Sequence, residues 1–160
     1  MTNEIIRISM LILATLVGSA GFALVFGVEK KHFLWAILSS VICCVTYEIA
    51  FLIGCGMFVS AFIGAGFSAA YSDIMAHKLK VPATMMIIIG ILPLVPGSKL
   101  YYTMLSVVQN DVLGFKKNAT AALWLAAGIA VGIITVTAIS RPINTKISEL
   151  NSKKISAKDK

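Results

Sequence analysis

The chain has 160 residues, of which 58% are hydrophobic and only 13% charged, with a mean hydropathy of +0.90. Soluble domains carry about 25% charged residues, so the composition excludes one and describes an integral membrane protein with no cofactor-binding or catalytic domain outside the lipid bilayer. The net charge of +7 does not call for nucleic acid, because the basic residues stand at the edges of apolar runs, where they act as topology signals.

Five spans are expected in an all-α architecture. The first, Ile8 to Phe26, is long enough to cross a bilayer and exceeds the roughly 7 to 15 residues of a signal-peptide core, so it reads as a retained helix. The second runs from Phe33 to Ile53 and carries Glu48. Gly54-Cys55-Gly56 then turns the chain, since two glycines in three residues end a helix and permit positive φ. The third runs from Met57 to about Ala76, with Asp73 set to pair with His77 or Lys78 at its edge. The fourth, about Ala83 to Val108, is interrupted at Pro93 to Gly97. A polar loop from Gln109 to Asn118 follows, and the fifth span, about Ala119 to Ile139, is expected to stop at Arg141-Pro142. This divides the chain into a membrane domain, 1–140, and a basic cytoplasmic tail, 141–160.

The positive residues orient these spans. Lys30, Lys31, Lys78, Lys80 and the tail fall on one side, and Arg7, Lys116 and Lys117 on the other, which places the amino terminus outside and the carboxyl terminus in the cytoplasm.

The interrupted span carries the functional expectation. Pro93 and Pro96 each remove an N–H and clash with the preceding turn, and hydrocarbon offers no partner to the peptide groups they free. Discontinuous helices of this kind build substrate sites in many transporters. Gly97 and Ser98 open the second half-helix, whose first amides favour an anion, with Ser98 as a candidate cap. Lys99 lies within the run and is costly unless it meets a partner or water. Glu48 is expected at the same depth, so the two form either a plain ion pair or a site that opens for a zwitterion, with Glu48 also able to carry a proton. Tyr101 and Tyr102 wall this region or belong to an interface belt. The small-residue ridges Gly128–Gly132 and Ser60–Gly64 mark helix-packing faces. Cys43, Cys44 and Cys55 have neither disulfide nor metal-ligand spacing, and no metal cluster or catalytic motif is present in the sequence.

Val81-Pro82-Ala83-Thr84, Gly90-Ile91-Leu92-Pro93-Leu94-Val95-Pro96-Gly97 and Leu100-Tyr101-Tyr102-Thr103-Met104 resemble the signature of the threonine/serine exporter family, most closely its small, YjjB-like half, the carboxyl-terminal exporter domain. The resemblance implies a bacterial inner-membrane exporter of small hydroxy amino acids driven by the proton gradient, working with a larger membrane half as partner. Some relatives are associated with dicarboxylates such as succinate, which gives one alternative. A non-transporting membrane scaffold gives another.

Overall fold

The computed structural model describes the backbone of residues 2–158 and the side chains of residues 6–140. It is helical throughout, with no strand among the described residues: α1 (Thr2–Val25), α2 (Lys30–Leu52), α3 (Met57–Leu79), α4 (Ala83–Ile91), a single 3₁₀ turn (Leu92–Leu94), α5 (Gly97–Val108) and α6 (Val112–Lys158). Among the described residues, four helices are long and apolar enough to cross a membrane unaided. The fifth crossing is the pair formed by Ala83–Leu94 and Gly97–Val108, bent by 53° at the break.

Short connections make neighbours of consecutive helices. Gly54, at φ 97°, turns the chain between α2 and α3 in a conformation that disfavours any side chain. Lys80 does the same after α3 at φ 55°, and the Val81 amide returns to the Ala76 carbonyl to close the helix end. Alternating directions follow. Arg7 at the start of α1 meets Glu48 near the end of α2, and Ser39 of α2 meets Ser68 and Ser72 of α3.

α4 lies in the groove between α2 and α3, and glycine and serine let it in. A Cβ on Gly90 would collide with the hydroxyls of Ser39 and Ser68, which are fully buried. Those hydroxyls bond each other at 2.9 Å, and Ser39 also bonds Ser72 at 2.8 Å, so three polar groups are satisfied at the point of closest approach. One turn further, Leu94 packs with Cys43, Ala61 and Ala65. Gly64, on the expected small ridge of α3, sits against the Cys43 carbonyl and Tyr47.

The expected ridge in α6 packs on α3. Gly128 lies over Phe58 and Ala61, and Gly132 lies one turn on over Phe62 and Ala65. Both numbers rise together, so α3 and α6 run parallel, and the bent pair between them must bring the chain back across. That return makes α4 and α5 one broken span.

Two boundaries differ from expectation. The loop predicted from Gln109 to Asn118 shrinks to three residues, because Asp111 Oδ1 accepts the Gly114 amide at 3.0 Å and starts α6 early. At the far end α6 runs on through Pro142 to Lys158, giving up one backbone hydrogen bond where a stop was expected. The side chains of the basic tail lie outside the described residues. His77 Nε2 does approach Asp73 Oδ1, at 3.8 Å.

The close α3–α6 contact sets a test. A Cβ on Gly128 would fall 2.5 Å from the Phe58 carbonyl oxygen and 2.9 Å from Ala61 Cβ, whereas one on Gly21 meets nothing within 4 Å. Gly128→Ala is expected to destabilise the protein by about 1–3 kcal/mol in denaturant unfolding from detergent micelles. Gly21→Ala is expected to leave that midpoint in place, and equal effects from the two would contradict the packing.

Candidate substrate cavity at the helix break

The break is built from backbone chemistry. Pro93 has no N–H, so the Ile89 carbonyl is taken by the Leu92 amide and the chain tightens into the 3₁₀ turn. The Val95 amide closes that turn on the Leu92 carbonyl at 3.2 Å, and the Gly97 amide reaches back to Val95 at 2.7 Å. α5 then starts from Pro96 with no side-chain cap. Ser98 therefore does not act as the cap expected of it, and its side chain is exposed.

A cavity of about 310 Å³ opens against this turn. Leu92, Pro93 and Leu94 form one wall. α1 supplies Leu11, Ala14, Thr15, Gly18 and Ser19, and α2 supplies Cys44, Tyr47 and Glu48. Ligand pockets run from about 300 to 1,000 Å³, so this one suits a ligand of few heavy atoms. The small residues of α1 recur at helical spacing, which is why the wall is concave there. The Ser19 hydroxyl donates within its own helix to the Thr15 carbonyl at 2.6 Å.

Glu48 is the one ionisable carboxyl in the cavity wall, and its side chain is only 14% exposed. Its partner is Arg7: Nη2 donates to Oε2 at 2.9 Å, a charge-assisted contact between the first turns of α1 and the last turns of α2. The structure pairs Glu48 with Arg7 where the sequence had offered Lys99. Glu48 and Lys99 were placed at one depth by counting residues along the two spans, but beyond the 53° bend α5 packs on α6. Lys99 is half-buried, makes no ion pair among the described residues and does not line the cavity. Gly97, Ser98, Tyr101 and Tyr102 share α5 with it and are likewise outside the cavity wall, the two tyrosines meeting edge to face at 5.4 Å on an exposed surface. Pro93 is the member of the expected set that stands beside Glu48.

A family model described as "Threonine/Serine exporter, ThrE" matches residues 11–139. The chain belongs to the threonine/serine exporter family. It is a multi-pass membrane protein of a family of exporters, and neither the curated proteins nor the solved structures yielded a match. The matched stretch of this exporter contains the whole cavity wall from Leu11 to Leu94, while Arg7 lies just before it.

Arg7 was read from the sequence only as a topology signal, and the small face of α1 only as apolar length. The signal available was the recurrence of Ala14 and Gly18 one turn apart in the helix that shares the cavity wall with Glu48. The Arg7–Glu48 contact predicts a coupling of about 1 kcal/mol in a double-mutant cycle with Arg7→Gln and Glu48→Gln, read from unfolding in detergent. The cycle between Glu48→Gln and Lys99→Gln is expected to show none, and a larger coupling there would reverse the assignment.

Proposed function

We propose that this chain is the small membrane subunit of a two-component secondary exporter of small hydroxy amino acids such as threonine and serine, coupled to protons, with its site in the cavity between α1, α2 and the helix break. The observation that carries the reading is the cavity itself: a carboxylate in its wall, paired with a guanidinium, faces an interrupted helix. An amino-acid zwitterion carries the complementary pair of charges. On entry its ammonium takes Glu48 and its carboxylate takes the two-pronged guanidinium of Arg7, so the ion pair opens without leaving either group uncompensated. Protonation of Glu48 removes the charge that holds the ammonium, which links release to the proton gradient.

Membership of the exporter family supports amino-acid export in general. The larger partner half is supported by the exposed apolar side chains of α5 and early α6, among them Leu100, Met104, Leu113 and Trp124, which leave surface for another membrane helix as well as for lipid. The orientation proposed from the positive residues puts the Arg7–Glu48 end outside and the Lys30–Lys31 end in the cytoplasm of a bacterial inner membrane. A dicarboxylate substrate is the weaker reading, because Glu48 would repel a dianion in the same cavity.

Threonine export from loaded cells tests this. Glu48→Gln is expected to cut the initial rate at least about tenfold, the scale of one lost charged contact, while Lys99→Gln leaves most of it. Normal threonine export by the Glu48→Gln variant would remove the proposed site.

A further inference from the structure

The groove between α1, α2 and α4 holds a second cavity, of about 190 Å³, at the end away from the break. The two cavities lie along the same rows of side chains. On α2, Ala36 borders the second cavity and Cys44 the first, about 12 Å apart along the helix, and Ser40 stands midway on that row. On α1, Ser19 borders the first, and Gly27, in the turn that ends the helix, borders the second, with Ala23 midway. On α4, Ile89 is in the wall of the second cavity, and Leu92, in the wall of the first, follows one turn later.

Between the cavities each of the three helices presents a fully buried residue: Ala23, Ser40 and Ile89. Ala23 and Ile89 pack in one cluster, and the Ser40 hydroxyl donates to the Ile37 carbonyl of its own helix at 2.7 Å. A single turn of packed side chains therefore divides the two spaces. Two of its members are small, and the third, Ile89, is the bulkiest fully buried side chain among the described residues. The helices are not held alike. α4 is pinned from behind, where Gly90 leaves no room against Ser39 and Ser68. α1 is the least buried of the four unbroken spans, and it is fastened to α2 by the Arg7–Glu48 pair. Movement of α1 is the way to part the layer without disturbing the clamped centre of α4.

We propose that Ala23, Ser40 and Ile89 form the gate of this exporter, with Ile89 as the plug, and that α1 opens it by swinging away when a ligand in the first cavity draws Arg7 and Glu48 apart. The ligand step rests on the export reading above, while the gate itself is read from the two cavities and the layer between them. A small polar solute in the first cavity meets packed side chains ahead of it and stays until α1 moves. With the layer parted, the two cavities become one passage along α4.

Thiol labelling in membrane vesicles that hold the full chain with its membrane partner tests the gate from each face in turn. Gly18→Cys supplies the reporter, because Gly18 borders the first cavity and a Cβ there meets nothing within 4 Å. Cys44→Ala and Cys55→Ser remove the two native thiols that are not fully buried. A small charged methanethiosulfonate is expected to reach the reporter from one face only. Ile89→Ala is expected to admit it from the other face at least about tenfold faster, since emptying a packed position of this size shifts an opening equilibrium by more than that factor. Ile88→Ala, at a side chain 40% exposed, is expected to change nothing. Arg7→Gln, which unfastens α1, is expected to act in the same direction as Ile89→Ala. Equal labelling from both faces with Ile89 in place, equal effects of Ile89→Ala and Ile88→Ala, or no effect of Arg7→Gln overturns the proposal. If Ile89→Ala does not accumulate, Ile89→Val makes the same comparison with a smaller rise. The labelling needs no substrate, which keeps the two failures apart: normal threonine export by Glu48→Gln removes the export site, whereas lost export there with labelling unmoved by Ile89→Ala removes only the gate.

Discussion

Peptide groups released at Pro93 and Pro96 find no partner in hydrocarbon, and the placement of the surrounding helices answers that constraint. The 3₁₀ turn reuses what it can, giving the Ile89 carbonyl to Leu92 and the Leu92 carbonyl to Val95. Leu94 is buried against α2 and α3, and Leu92, Pro93 and Leu94 border the cavity beside Glu48. A break placed instead on the lipid-facing side of α4 would leave those groups to the acyl chains. The serine and glycine contacts that seat α4 deep between α2 and α3 are therefore part of the same solution as the break.

This division of labour shows along α4. Its middle is clamped, with Gly90 pressed against Ser39 and Ser68 and Ile89 fully buried. Its two ends each border a cavity, one at Pro82 and one at Pro93. A rigid centre with spaces at both ends suits a helix that separates two compartments of one groove. Interfaces of hydroxyls and glycines also allow small shifts without exposing a large apolar surface.

Much of the helical layout was legible in the sequence, because apolar length, glycine turns and paired prolines are local signals. Ala83 and Val108 bound the interrupted span in both readings, and the glycine ridge at Gly128 and Gly132 packs a neighbour as its spacing suggested. The start of α6 was missed because Asp111, read as a loop residue, bonds the Gly114 amide and nucleates a helix. The partner of Glu48 was missed for a different reason. Depth was counted along a straight axis, and a 53° bend carries Lys99 to another neighbour while Arg7, distant in sequence, takes its place.

The parallel pairing of α3 with α6 also bears on how the molecule comes to exist. The carbonyls of Phe58 and Phe62 meet Gly128 and Gly132 only after the ribosome has added roughly seventy further residues, so this seam is a late, non-local closure. Until then the alanines of α3 that it covers face lipid or a neighbouring chain. The nascent protein thus passes through a stage in which the interrupted helix is already threaded while the outer brace is still missing. The bundle is complete only when the last helix docks.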